Sequence, residues 1–377
     1  DLVVDGIIGG VGSVLVFLPN ILILFFFISI MEDTGYMARA AFIMDKLMHK
    51  IGLHGKSFIP LLIGFGCSVP AVMATRILDN NKNRILTMLI VPLMSCSARL
   101  PVYILMVSAF FHKYQALILL SMYIIGVLIA VLFAFILNKT IFKGKSDNFV
   151  LELPPYRVPT FRNVSIHIWD KAAGYLKKIS SVILVASVVI WLLEYFPRTN
   201  KYIDDIDNQI VNIQSNPVQD AESQAQIMQL EREKMMLHKE YSYIGRIGKF
   251  FEPVMRPLGF NWKMTVSLLT GVAAKEVAVS TLGILYGVKD ADNNHVSLVK
   301  VLKEDVHTTG ELKGEKVLTP LVAFCYMLFV LLYFPCVATI ATIKKEYGTN
   351  WAIFVVVYTV ALAWLVSFGV YNIGSLF

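Results

Sequence analysis

Four short stretches of this sequence set thiols, hydroxyls or charges beside helix-breaking residues inside otherwise apolar segments. The first is Gly64-Phe65-Gly66-Cys67-Ser68-Val69-Pro70. Gly loosens a helix, and Pro removes a donor while clashing with the preceding turn, so the backbone is expected to break there. In the second, Pro92 and Pro101 bracket Met94, Ser95, Cys96, Ser97 and Arg99. The third, Gly271-Val272-Ala273-Ala274-Lys275-Glu276-Val277, carries a Lys–Glu step that reads as the interior of an apolar helix. The fourth, Phe334-Pro335-Cys336-Val337-Ala338-Thr339, gives another Pro-adjacent thiol, which answers Cys96.

Three cysteines, a thioether, Ser hydroxyls and one carboxylate form a soft-to-borderline donor set. Mg²⁺ and Ca²⁺ want oxygen cages, whereas sulfur suits Cu(I), Zn²⁺ or Fe²⁺. No closely spaced C-x₂-C pair is present, so a static structural zinc site is not expected. Donors scattered over broken helices suit transient cation binding. The candidate path is Cys67, Cys96, Cys336, Glu276, Met94, Ser95 and Ser97. Gly64, Gly66, Pro70, Pro92, Pro101, Gly271 and Pro335 are its gate or hinge positions. Glu276 reads as a cation ligand or proton carrier, with pairing to Lys275 as the structural alternative, although adjacent residues do not face one another on a helix. A buried charge in a membrane costs about 2.5–3.5 kcal/mol on insertion scales. Arg99 therefore needs a pathway role or a bond to carbonyls freed by Pro101, and the sequence leaves both open. Cys325 lies in a smooth apolar run and reads as core. Glu32 and Asp33, ahead of the Tyr36–His49 stretch, read as a helix cap, or else as a place where a cation is admitted or released.

The elements that must position these residues are membrane helices. Of the 377 residues 56% are hydrophobic and 16% charged, with a mean hydropathy of +0.64. The apolar surplus falls in blocks near 20 residues, the length that crosses hydrocarbon. We place them at 11–31, 85–110, 115–137, 179–196, 264–286, 317–343 and 351–371, with a broken pair at 58–74. The net charge of +7 does not indicate nucleic acid, because Lys and Arg fall mainly in loops between segments. Loop charges put Arg39, Lys46, Lys50, Lys56, Arg76, Lys82 and Arg84 on the cytoplasmic face; Lys344 and Lys345 then fall on the wrong side. The cysteines are expected to be reduced. No cleavable leader is seen, and the start at Asp1 suggests an excised part of a longer chain.

A shift of 207 residues aligns the chain with itself. Tyr36 meets Tyr243, Arg39 meets Arg246, Gly52 meets Gly259, Lys56 meets Lys263 and Gly64 meets Gly271. Apolar coincidences are cheap in membrane proteins, but Gly, Lys, Arg and Tyr coincidences are not. The loop charges place the two copies in opposite orientations, the arrangement by which many carriers build a midplane site from discontinuous helices. The expected fold is an all-α polytopic membrane protein with two inverted repeats and broken or re-entrant helices. Its parts are a first repeat at 1–140, a basic cytoplasmic loop at 141–178, and a second repeat at 179–287 with a polar insertion at about 198–262. A polar loop at 288–316 and C-terminal membrane helices at 317–377 follow. No phosphate loop, H-E-x-x-H or G-x-S-x-G motif occurs, so no nucleotide site is expected in this chain.

The runs DGIIGGVGSVLVFLPNI, EDTGYMARAAFIMD, GLHGKSFIP, GFGCSVPAVMATR, PLMSCSARLPVY and GVAAKEVAVSTLGILYG resemble the FeoB family of bacterial ferrous-iron transporters, from Asp5 to about Gly369. The resemblance implies gate-type repeats, Fe²⁺ as the transported substrate, and pore cysteines at Cys67, Cys96 and Cys336. Asn20 departs from the family's Gln. It also implies a multi-pass protein of the bacterial inner membrane, in contact with the lipid bilayer. An N-terminal GTP-binding domain, absent here, would gate it. Small cytoplasmic accessory proteins and a homo-oligomer are candidate partners. Two alternatives stay open at this point: a nucleoside-type or other divalent-metal carrier, and a membrane redox metalloprotein or sensor.

Overall fold

The computed structural model describes residues 9–140, 160–197, 201–214, 221–286, 295–305 and 316–376. Among them the chain is helical and no β-strand occurs. The helices are α1 (Gly9–Asp33), α2 (Tyr36–Lys50), α3 (Phe58–Gly64), α4 (Ser68–Ala74), α5 (Asn81–Ile90), α6 (Leu100–Phe110), α7 (Gln115–Thr140) and α8 (Phe161–Tyr195). After them come α9 (Lys201–Gln214), α10 (Ala221–Tyr241), α11 (Tyr243–Met255), α12 (Trp262–Thr270), α13 (Val277–Leu285), α14 (His295–Glu304), α15 (Pro320–Leu332), α16 (Val337–Tyr347) and α17 (Thr349–Gly374). The protein is a helical membrane protein. Among the described residues, four helical runs are long and apolar enough to cross a bilayer: Asn81–Phe110, Gln115–Thr140, Pro320–Tyr347 and Thr349–Gly374.

Burial separates these four runs into two kinds. The unbroken helices α7 and α17 have only 17% and 28% of their apolar windows buried, and they expose stripes such as Leu120, Ile124, Leu128 and Leu132. The interrupted runs, α5–α6 and α15–α16, are 67% and 72% buried. Non-helical backbone at membrane depth survives only where protein or a wet cavity covers it. The breaks therefore belong to the buried helices, and α7 and α17 leave much of their apolar surface exposed.

Contacts divide the chain into two compact units. The first is drawn from Asp1–Leu100, Leu120–Ser187 and Leu331–Ala363, and the second from Pro101–Leu119, Val188–Val330 and Trp364–Phe377. Each unit contains one copy of the repeat, and the copies share local geometry. In the first, α2 leads through Gly52 (φ 81°) to α3 and α4; in the second, α11 leads through Gly259 (φ 78°) to α12 and α13. The equivalent glycines adopt the same left-handed turn, a conformation that costs a residue with a Cβ about 1–2 kcal/mol.

Both broken pairs fold back on themselves, α3 on α4 and α12 on α13. Lys56, just before α3, bonds Asp79, just after α4, at 2.7 Å. The pair thus begins and ends at one level. In the second copy the equivalent residues meet again: Lys263 Nζ lies 4.3 Å from the Tyr286 ring centroid. An ion pair in one copy is a cation–π contact in the other, at positions 207 apart in both cases.

Three elements differ from the sequence expectation. Phe161–Tyr195 forms one helix where a loop with a surface helix and a separate span were expected. Its breakers, Pro154, Pro155 and Pro159, all precede it, and within it Gly174 alone weakens the helix. The polar insertion is helical over α9 and α10 and is not wholly solvated. Ile203, Ile206 and Ile210 of α9 are buried, and α10 packs on α11 and α13. Lys344 and Lys345 are not on the wrong face. Their neighbour Glu346 receives a bidentate bond from Arg76 (2.7 and 2.5 Å), so they share the face of the Arg76–Arg84 loop.

At the α2–α3 corner, Asp45 Oδ1 accepts from His49 Nδ1 (3.1 Å) and from the Gly55 amide (3.0 Å). His54 Nδ1 accepts from the Lys56 amide at 3.2 Å, capping the turn that feeds α3. Burial, with the Lys56 ammonium alongside, holds His54 below its ordinary value of 6.5. The unfolded chain therefore gains a proton as pH falls through 6.5, whereas the folded chain gains it only at lower pH. Stability from this corner is complete above 6.5 and declines below it. We expect the melting temperature to fall between about pH 7.5 and about pH 5.5, with a shallower slope in His54→Gln. Equal slopes would remove His54 from the account.

Candidate functional site

Within the first unit, three broken stretches adjoin one another. α3 ends at Gly64, and the amides of Phe65 and Gly66 bond back three residues, to Leu62 (3.2 Å) and Ile63 (2.9 Å), so the α-ladder fails. Cys67 is then fully extended (φ −150°, ψ 131°) before α4 begins. The Gly66 carbonyl, released from any helix, accepts from the Ser97 amide (3.3 Å) and the Ser97 hydroxyl (3.0 Å). This bond stitches the first break to the second, where Met94 and Cys96 are also extended (ψ 135° and 160°). Gly64 is needed for the approach: a Cβ there would stand 3.2 Å from Met94 Cβ.

The third break contributes Cys336, extended ahead of α16 (φ −57°, ψ 152°), with its sulfur 3.1 Å from Thr339 Oγ1. α16 packs on α4, and Cys67 and Cys336 rest against one apolar cluster of Phe25, Val69 and Ala338. Each candidate thiol thus occupies the extended residue just before a helix restarts. All three are half-buried, whereas Cys325 is fully buried, as expected of core. Among the described residues no group of three His, Cys, Asp or Glu side chains closes to metal-holding distance. The thiols border one junction without forming a cage. Small aqueous thiol reagents should label Cys67, Cys96 and Cys336 in the native protein, and Cys325 only after denaturation; fast native labelling of Cys325 would contradict this burial.

The remaining candidates are placed as follows. Arg99 is 1% exposed and donates to the carbonyls of Met94 (2.7 Å) and Pro92 (2.9 Å). Those carbonyls are freed by the break itself rather than by Pro101. Ser95 is buried beside them, while Ser97 is exposed. Pro70 and Pro92 are buried, and Pro335 closes the apolar run before Cys336. Lys275 and Glu276 do not lie inside a helix. The amides of Val272, Ala273, Val277, Ala278 and Val279 bond three residues back, and Glu276 stands just ahead of α13. Lys275 is buried and reaches the Val330 carbonyl at 3.4 Å, a tertiary partner that draws the chain out of the α-ladder after Gly271. Both residues belong to the second unit, and the three candidate thiols to the first.

Glu32 and Asp33 end α1 rather than capping α2, whose N-cap is Gly35 in a left-handed turn (φ 73°). Carboxylates at a helix C-terminus oppose the dipole, so capping does not account for them. Glu32 borders an apolar cavity of about 270 Å³ that Met37, Ile63, Pro70 and Met73 also line. Tyr123 of α7 also adjoins these breaks, although no motif marks it. Its ring centroid lies 6.3 Å from that of Phe65, and its hydroxyl bonds Ser95. A tyrosine in a smooth apolar span carries no local signal of such a contact. Gly126, one turn on, lets α7 approach the Leu93 carbonyl.

Comparison with known proteins follows this geometry. The family profile described as Gate: Nucleoside recognition matches residues 14–110 and 176–350, one stretch around each copy of the repeat. The profile described as Ferrous iron transport protein B C terminus matches residues 119–171. A Fe(2+) transport protein A/Fe(2+) transporter FeoB fusion protein of Porphyromonas gingivalis is 54% identical over 379 residues, covering 100% of this chain and 44% of that protein. The Fe(2+) transporter FeoB of Staphylococcus aureus (strain MSSA476) is 43% identical, covering 100% of this chain and 49% of its own length. That of Helicobacter pylori (strain J99) is 38% identical, at 97% and 56%. The chain spans about half the length of these curated relatives. No solved structure matches.

Proposed function

The chain belongs to the FeoB family, and from that premise we propose that it forms the membrane path of a ferrous-iron permease. One observation carries the reading: three thiols from separate chain segments border one junction, each on extended backbone between helix ends. Fe²⁺ is soft enough to bond thiolate sulfur. An open, uncaged set of donors lets it bind and leave by steps, as conduction requires. Each thiol that bonds the ion gives up its proton. Glu276 and the Lys275 step would serve the second repeat, inverted relative to the first, and Glu32 with Asp33 would admit or release the ion.

In this reading the protein transports and does not itself catalyse a reaction; GTP hydrolysis belongs to a domain in the rest of the longer protein, which gates the path. The location is the bacterial inner membrane, crossed several times, with accessory cytoplasmic proteins and self-association as further partners. A nucleoside cargo is the second reading, because the matching profile is described as nucleoside recognition. The thiol and thioether lining of the junction speaks against it. The test is flux into liposomes containing the full-length protein, comparing Fe²⁺, Zn²⁺ and uridine anaerobically. Fe²⁺ flux is expected; uridine flux without metal flux would overturn the proposal.

A further inference from the structure

The thiol junction contains a charge that a cation path would not be expected to hold. Arg99 is 1% exposed, and among the described residues no carboxylate pairs with it. Its two Nη atoms are held by the Met94 and Pro92 carbonyls, and its Nε is buried without a partner. Its own amide bonds the Cys96 carbonyl at 3.1 Å, so main chain and guanidinium are both tied to the second break. The positive charge is therefore permanent, rigidly placed and only partly offset by carbonyl dipoles. A guanidinium does not deprotonate in proteins, so no proton transfer removes it.

We propose that Arg99 is the specificity-determining residue of the junction, a fixed positive charge that excludes cations unable to bond sulfur. This rests on the permease reading. Every cation approaching Cys96 meets the same repulsion, strengthened by the low dielectric of a buried site. K⁺ and Na⁺ are hard ions and gain nothing from a thiol in return. A divalent transition metal does gain: it bonds sulfur, and that bond offsets the repulsion. The filter thus selects by chemistry rather than by pore width. A fixed Arg barrier against unwanted cations is a known device of other membrane pores.

The experiment uses the full-length protein in liposomes loaded with K⁺, with K⁺ efflux and Fe²⁺ uptake measured on the same preparations. Wild type should be tight to K⁺. Arg99→Gln, which keeps polarity but removes charge, should raise K⁺ efflux at least tenfold, and Arg99→Lys should stay within about twofold of wild type. Should Arg99→Gln not yield folded protein, Cys96→Asp places a compensating carboxylate beside an unaltered Arg99 and should leak in the same way. Folded Arg99→Gln, or folded Cys96→Asp, that is as tight as wild type would overturn the filter. Absent Fe²⁺ uptake by wild type would instead overturn the permease reading, whatever the K⁺ result.

Discussion

Cys67→Ser is expected to lower Fe²⁺ flux through the full-length protein at least tenfold, equivalent to about 1.4 kcal/mol. The substitution keeps size and shape, and the apolar cluster of Phe25, Val69 and Ala338 on which Cys67 rests keeps its packing. What changes is the donor: a polarizable thiol that can become thiolate gives way to a neutral hydroxyl that cannot. Cys336→Ser, against the same cluster, should behave alike. Cys325→Ser is the control, because Cys325 is fully buried and borders none of the three breaks. Its flux should match wild type per folded molecule. Flux unaltered in Cys67→Ser would remove the first break from the path.

Gly259→Ala is expected to destabilise the protein by about 2–4 kcal/mol, well beyond the effect of Gly52→Ala. The two glycines are repeat partners with nearly equal torsions, φ 78° and 81°, so the backbone strain added by a Cβ is the same. Their surroundings differ. At Gly259 the new Cβ would stand 2.8 Å from Tyr371 Cε2 and Val322 Cγ2, atoms of α17 and α15 held in helix packing. At Gly52 it would overlap Asn138 Nδ2 and stand 2.6 Å from its Cγ and 3.0 Å from its Cβ, but rotation of that one side chain about Cα–Cβ carries the two nearest atoms away. The difference between the variants therefore isolates packing from strain. Apparent melting temperature in detergent, read by tryptophan fluorescence, measures both. Equal shifts would show that the repeat's turn, and not its setting, controls stability.

Much of this architecture could be read from residue types. Long apolar runs announced α7 and α17, and Gly64, Gly66, Pro92 and Pro335 announced the breaks, because their effects act through the local backbone. The repeat showed in residues that tolerate little substitution, such as Gly52 and Gly259. Features held by distant partners did not show. The break at Lys275–Glu276 depends on a carbonyl 55 residues away and has no proline to mark it. The face of Lys344 and Lys345 shows only through the Arg76–Glu346 bond, whose partners are 270 positions apart. Tyr123 joins the site through Phe65 and Ser95, neither of which is near it in sequence. The Cys67–Cys336 neighbourhood likewise needs α16 laid on α4, which no local pattern encodes.

Iron K-edge absorption on the full-length protein, loaded anaerobically with Fe²⁺, tests most directly whether iron meets sulfur at this junction. Short iron–sulfur distances are expected in wild type, and only oxygen or nitrogen neighbours in the Cys67→Ser, Cys96→Ser, Cys336→Ser triple variant. Sulfur around iron in that variant, or none in a wild type that carries Fe²⁺ flux, would contradict this expectation.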